Sequence, residues 1–150
     1  MITRLSIGLD DAQTAAAAVF AAAKAAQGPI AVAVTDAEGN LVFLERQDGT
    51  SAVDVRNAER KAYTAGVIGR DTSMFRLQIT MDGRTVADWS DPMVTTLPGG
   101  WTLRRQSQVI GGIGVSGTGD DERLALAGAE AAAKISVDEW RKQRNAPGEG

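Results

Sequence analysis

The side chains available for chemistry are lysine, arginine, tyrosine and the carboxylates, because the 150 residues contain no histidine and no cysteine. Histidine is the usual acid–base group near neutral pH and the commonest metal ligand, so Ser-His-Asp catalysis and histidine-ligated metal sites are excluded within this chain. Without cysteine there are no disulfides, thiolate metal sites or cysteine nucleophiles. What remains is the binding of charged groups and proton transfer by an amine or a carboxylic acid.

The first candidate residues for such chemistry are Lys61 and Tyr63, which lie on one predicted helix. A desolvated Lys61 in a cleft would bind a carboxylate or act as a base, since burial lowers the pKa of an amine. The alternative is a surface lysine whose stem covers the sheet. Tyr63 is the only tyrosine, and it would either donate a hydrogen bond to an oxyanion, stack on a flat ligand or pack half-buried. We take both as candidate catalytic residues.

Arginine supplies the second group of candidates. Arg104 and Arg105 are adjacent on a predicted strand and therefore point to opposite faces of the sheet. We assign Arg105 a catalytic role as a bidentate clamp on a carboxylate, although the pattern leaves open which of the two faces inward. Arg46, at the end of another predicted strand, is a candidate ligand-binding cation. These cations together predict a small anionic ligand.

A glycine-rich segment at residues 111–119 predicts close approach of another backbone or a ligand, because glycine lacks a Cβ atom. It contains the pattern G-x-G-x-x-G at Gly112, Gly114 and Gly117. A dinucleotide-binding unit needs a second strand after its helix, and only one predicted helix and a polar tail follow. We therefore interpret the segment as a buried contact or a pocket wall, with Gly114 and Ser116 as ligand-binding candidates.

An α+β fold is predicted to position these residues. The turn between the first two strands is too short to reach a parallel neighbour, so the sheet is expected to be antiparallel with helices packed on it. We place a single domain at residues 1–135 and a short terminal helix with a flexible tail at 136–150. The predicted elements are a helix at 10–27, strands at 30–35 and 41–46, helices at 52–66 and 71–80, a partly helical loop at 81–98, strands at 101–105 and 108–115, and a helix at 120–135. We interpret the acidic residues at the start of the last helix as its cap rather than as metal ligands.

Charge and hydropathy restrict the partners. The formal net charge is −3, which favours neither nucleic acid nor a membrane surface as a partner. The alanine-dominated run at 15–26 is too short to span a bilayer, and the N-terminus lacks the pattern of a secretory signal. We expect a cytoplasmic protein. Its alanine-rich helices provide few large core side chains, which predicts a homo-oligomer.

Four segments, taken together, resemble a known family. They are VAVTDAEGN at 32–40, RKAYTA at 60–65, PGG at 98–100 and VIGGIGVSG at 109–117. Their order and spacing resemble those of the GlcG/HbpS family. That family includes haem-binding and haem-degrading-type proteins and the C-terminal domain of some corrinoid adenosyltransferases. The resemblance covers most of the predicted domain. It implies a profilin-like α-β-α sandwich that assembles into dimers, tetramers or octamers, with haem as the candidate cofactor.

Around Gly99 and Gly100 the chain departs from this family. The family usually has Gly-Gly-x-Pro there, whereas Trp101 follows the two glycines in this chain and places a large aromatic ring where a small aliphatic side chain is common. We take all three residues as ligand-binding candidates. Trp89 and Trp101 together would form a stacking wall for a flat ligand or fill a subunit interface.

Three functions remain open on this sequence. The first is a homo-oligomer that binds haem or another small anionic ligand in a cleft between the turn at 98–101, the glycine-rich strand and the Lys61 helix. Without histidine, haem would need a threonine, Tyr63, Lys61 or a methionine as its axial ligand, or attachment through its propionates alone. The second is a cofactor-independent enzyme that acts on a small carboxylate or carbonyl compound by proton transfer and oxyanion stabilisation. The third is an accessory subunit without chemistry.

Overall fold

The computed structural model describes residues 1–2, 4–24 and 27–145, with side chains described as far as residue 134. That part of the chain contains four α-helices and four strands. In chain order they are α1 (Leu9–Ala22), β1 (Ala31–Asp36), β2 (Leu41–Arg46), α2 (Ala52–Ile68), α3 (Thr72–Met81), a short 3₁₀ helix (Val86–Trp89), β3 (Gly100–Arg105), β4 (Gln108–Ser116) and α4 (Asp121–Asn145).

The strands form one antiparallel sheet in the order β2-β1-β4-β3. Its two hairpins, β1–β2 and β3–β4, are those predicted from the short turns. The hairpins meet where β1 pairs with β4, with Ala33 opposite Gly114 and Val34 opposite Ile113. The inner strands are almost wholly buried. The predicted α+β class with an antiparallel sheet is confirmed.

Helices cover both faces of the sheet. α1 and α4 pack on each other and on one face, while α2 packs on the other face with α3 beside it. The first face carries the larger side chains, including Val32, Val34 and Ile113, and the alanines of α1 fit closely against them. The second face is nearly flat, because small residues such as Ala31 and Ala33 line it, and Ala58 of α2 packs against them. Within the described residues, no helix has both the length and the apolar character needed to cross a membrane.

The glycines of β4 are explained by direct contact with α2. A Cβ atom on Gly112 would lie 2.1 Å from the carbonyl oxygen of Ala62, and one on Gly114 would lie 2.1 Å from that of Ala58. The helix backbone therefore lies against the strand backbone with no side chains between them. The G-x-G-x-x-G pattern reflects this buried contact, and α2 occupies the space above it.

The predicted ends of two helices were wrong. α1 ends at Ala22 rather than near residue 27, because the side-chain oxygen of Gln27 accepts the backbone N–H of Lys24 outside the helix. α4 continues to Asn145 instead of ending near 135, since the sequence has no glycine or proline between residue 135 and Pro147. The start of the predicted tail is thus helical, while residues 146–150 lie outside the described residues.

Candidate functional site

Lys61 is a buried cation on α2, with only 3% of its surface exposed. The helix directs it at the end of β4, where Nζ donates a hydrogen bond to the carbonyl oxygen of Val115 at 2.8 Å. Nζ also forms an ion pair with Oδ2 of Asp121 at 3.2 Å. The end of β4 and the start of α4 therefore meet at Lys61, although Lys61 and Asp121 are far apart in the sequence.

The turn before β3 encloses this lysine with backbone rather than side chains. Gly99 has φ +116, and a Cβ atom on it would lie 3.1 Å from Nζ of Lys61 and 2.7 Å from the carbonyl oxygen of Val115. A Cβ atom on Gly100 would lie 2.5 Å from the carbonyl oxygen of Lys61, and its N–H donates to Oγ1 of Thr72 at 3.0 Å. The two glycines are required for the turn to pass so close to the amine.

Opposing effects set the protonation of Lys61. Burial lowers its pKa, and the negative charges of Asp121 and Asp54 counteract part of that effect. Asp54 lies at the start of α2, where its carboxylate accepts hydrogen bonds from Ser116 Oγ at 2.7 Å and from Ser51 Oγ at 2.9 Å. Ser116, which is buried, thus holds a carboxylate near the amine.

A cavity of about 440 Å³ opens beside Lys61, and we call it the Lys61 cavity. Three parts of the fold contribute to it: α2, the loop before β3, and the turn that leads from β4 into α4. Its lining residues are Asn57, Lys61, Leu97, Pro98, Thr118, Gly119, Asp121 and Glu122.

Tyr63 does not reach the Lys61 cavity. Its hydroxyl donates a hydrogen bond to Oδ2 of Asp91 at 2.5 Å, and its ring packs on the cluster of α3 that contains Phe75 and Ile79. The hydrogen bond to Asp91, together with burial and the charge of that carboxylate, raises the pKa of Tyr63. The same bond lowers the pKa of Asp91. The structure therefore separates the two candidates that the sequence places two positions apart.

The arginines are distributed over different parts of the molecule. Arg104 donates to the carbonyl oxygen of Gly69 and lines a separate cavity of about 350 Å³ beside Trp101. Arg105 lines neither that cavity nor the Lys61 cavity, and its Nε and Nη2 atoms are buried without a hydrogen-bond partner in the described part of the chain. Arg46 lies on β2 in an open groove of about 640 Å³ with Lys24. The predicted cluster of cations around Lys61 is not formed.

The two tryptophans occupy separate places as well. Trp89 makes an edge-to-face contact with Phe75, with ring centroids 4.9 Å apart and planes at 84°. Trp101 is half-buried on β3 against the main core. It lines two other cavities, one of which shares Gly119 and Glu122 with the Lys61 cavity. Trp101 is thus the aromatic residue near the candidate site.

Sequence reasoning missed two polar residues of the Lys61 cavity and the role of a third. Asn57 precedes Lys61 by one helical turn, a spacing that puts both on one face of α2 and could have identified it. Glu122 and Asp121 were interpreted only as helix-capping acids. Asp121 holds the turn that leads into α4, since its Oδ1 accepts from the backbone N–H of Thr118 at 2.9 Å, and it also pairs with Lys61. Among the described residues, no group of three or more His, Cys, Asp or Glu side chains is arranged to hold a metal ion.

The comparison with known families agrees with the fold. The chain belongs to the HbpS-like family, because the model described as "Haem degrading protein HbpS-like" matches residues 7–132. The family predicted from the sequence is confirmed.

Three relatives show how far the similarity extends. Protein GlcG of Escherichia coli (strain K12) is 35% identical over 87 residues, which are 58% of this chain and 63% of GlcG, so the match spans less than two thirds of that relative. The crystal structure of a double mutant of Streptomyces reticuli HbpS has a TM-score of 0.77 and 31% identity, covering 87% of this chain and 89% of that one. The crystal structure of a PduOC–haem complex shares the fold, with a TM-score of 0.73 and 24% identity over 85% of this chain and 95% of that one.

Proposed function

We propose that this chain binds a small polar ligand in the Lys61 cavity. The observation that supports the proposal is the buried ammonium group at the wall of a cavity. An ammonium group has three N–H donors, and two partners are found for Nζ among the described residues, Val115 and Asp121. One donor remains for a ligand oxygen. Burying a charge is unfavourable, so its presence beside a cavity of ligand size favours a binding role.

Haem is a candidate ligand because the chain belongs to a haem-degrading-type family and PduOC has been crystallised with haem. The residues of the Lys61 cavity do not fit a ligated haem. The nitrogen of Lys61 is hydrogen-bonded to protein oxygens, and the hydroxyl of Thr118 bonds to Asp121. In the described part of the chain, no methionine or tyrosine lines the cavity. Asp121 and Glu122 would also repel haem propionates. These features favour a smaller ligand.

Proton transfer is a second candidate function, favoured by the Lys61–Asp121 pair. Burial lowers the pKa of Lys61, which brings an amine closer to the range in which it exchanges protons near neutral pH. Its carboxylate partner lies 3.2 Å away and lines the same cavity. A ligand carbonyl that accepts a hydrogen bond from Nζ would have its developing negative charge stabilised by the ammonium group.

We also propose that a second copy of the chain covers the outer face of α3. This face exposes three large apolar side chains one helical turn apart: Met74 is 51% exposed, Leu77 is 54% exposed and Met81 is 77% exposed. The spacing i, i+3, i+7 makes a continuous stripe, and such stripes are uncommon on isolated domains. The loop that follows α3 is also largely exposed, which would allow a partner to approach closely.

The ligand-binding proposal is tested by titration of Lys61→Met against the wild type. Methionine keeps the length of the side chain and removes the charge and the donors. The matched control is Lys134→Met, since Lys134 is exposed on α4. The probes are haemin, followed by its absorption spectrum, and lactamide, followed by amide chemical shifts.

The proposal expects lactamide to shift the amide resonances of the Lys61 cavity, and Lys61→Met to weaken this binding about tenfold or more, as the loss of a charged hydrogen bond does. Lys134→Met should bind as the wild type does. If Lys61→Met fails to fold, Asn57→Ala tests the same cavity with a smaller change. Equal binding by the wild type and a folded cavity variant would refute the proposal. A saturable haemin band that Lys61→Met leaves unchanged would place haem elsewhere and refute the cavity as a haem site.

A further inference from the structure

Most polar groups around the Lys61 cavity already have partners within the protein. Oδ1 of Asp121 accepts hydrogen bonds from the backbone N–H of Thr118 at 2.9 Å and from its hydroxyl at 3.1 Å. Oδ2 of Asp121 pairs with Lys61. The hydroxyl of Thr118 in turn accepts from the backbone N–H of Asp120 at 3.0 Å. These groups build the turn into α4 and are not available to a ligand.

Two polar side chains that line the cavity have no hydrogen bond or ion pair among the described residues, Asn57 on α2 and Glu122 on α4. Both are half-buried. Burial raises the pKa of Asp71, and the negative charge of Glu122 raises it further. Neither contributes a buried polar atom that lacks a partner, so the polar ends of both side chains are open to solvent and available to a ligand.

The charges on the cavity wall sum to a negative value. Among the described residues that line it, Lys61 is the one cation, while Asp121 and Glu122 are both acidic. Asp54, whose charge acts on Lys61, and Asp71, on which the charge of Glu122 acts, are acidic as well. The predicted anionic ligand would therefore meet one ammonium group that is already paired and a further carboxylate that repels it.

We propose that the ligand carries a hydrogen-bond donor, an ammonium or hydroxyl group, that binds Glu122, together with a carbonyl-type acceptor that binds Lys61 and Asn57. This inference rests on the proposed function of the Lys61 cavity and defines the chemical class of its ligand. Small amino-amides and hydroxy-amides belong to that class. Simple carboxylates without a donor, and dicarboxylates, do not.

Three probes of equal size test the inference, because they differ mainly in charge. Alaninamide carries an ammonium group and an amide, lactamide a hydroxyl and an amide, and lactate a hydroxyl and a carboxylate. Their dissociation constants are measured from amide chemical shifts of the complete chain. The variant is Glu122→Gln, and its control is Glu130→Gln, which makes the same charge change at an exposed position of the same helix.

The expected order of affinity is alaninamide, lactamide, lactate, with about a tenfold difference or more between the extremes, the size of one charged hydrogen bond. Glu122→Gln should remove most of the preference for alaninamide, and Glu130→Gln should leave it unchanged. Lactate binding more tightly than alaninamide, or equal effects of the two variants, would overturn the inference. Binding that depends on Lys61 but not on Glu122 would overturn this inference alone, whereas no binding of any probe would overturn the proposed function.

Discussion

Replacing Gly114 by alanine should destabilise the fold strongly, because the new methyl group has no space. It would lie 2.1 Å from the carbonyl oxygen of Ala58 and 2.6 Å from the backbone nitrogen of Ala62, whereas ordinary contacts begin at 3.4 Å. The helix must therefore move by about 1.3 Å, the difference between 3.4 Å and 2.1 Å. Overpacking costs about 1–3 kcal/mol when side chains can adjust. Here the obstructing atoms are backbone, so we expect a loss of about 3 kcal/mol or more.

Urea and thermal unfolding, at one fixed protein concentration, measure this loss. For a chain of this length the melting temperature should fall by roughly 6–12 °C for 3 kcal/mol. The control is Gly119→Ala, since a Cβ atom on Gly119 would meet nothing within 4 Å. A loss below about 1 kcal/mol for Gly114→Ala, or equal losses for both variants, would show that α2 and β4 are not in rigid backbone contact.

Three further predictions concern other parts of the molecule. Tyr63 is the only tyrosine, so the change of absorbance with pH reports the ionisation of tyrosine at this position alone. The midpoint of that titration should lie above the usual value of about 10 and should fall in Asp91→Asn. An unchanged midpoint in this variant would contradict the hydrogen bond. Because burial lowers the pKa of Lys61 in the folded state, the folded chain binds fewer protons than the unfolded one as the pH rises from the folded-state pKa to about 10.4. The free energy of unfolding of the wild type should therefore increase over that range relative to Lys61→Met, and parallel curves would refute this. Leu77→Glu should reduce the mass measured by sedimentation, whereas Gln78→Glu, beside it on the exposed surface, should not; an unaltered mass in both would exclude α3 as the interface.

The fold was largely predictable because its signals are local. A short turn forces an antiparallel hairpin, and this held for both hairpins of the sheet. The glycines at 112 and 114 indicated a close contact before any neighbour was known, and α2 provides it. Helix ends were less accurate, because they depend on single side chains such as Gln27.

The candidate site was predictable only in part, because its geometry depends on contacts between distant residues. Lys61 could be chosen from its helix and its resemblance to a family motif, but its partner Asp121 lies 60 positions away. Charge type alone grouped Arg46 and Arg105 with Lys61, and the topology puts them on other surfaces. No spacing rule gives that outcome, since strand order and the path of each connection decide it.

Some polar side chains of the Lys61 cavity have hydrogen-bond partners in the protein and others have none, and this difference bears on how the family can diversify. Asp121 and Thr118 support the start of α4, so a substitution at either position changes folding and binding together. Asn57 and Glu122 line the same cavity without such bonds among the described residues, so they are free to vary at little cost in stability. New ligand preferences can therefore arise by exchanging these two side chains around an unchanged lysine. Directed evolution of this scaffold should begin with libraries at positions 57 and 122.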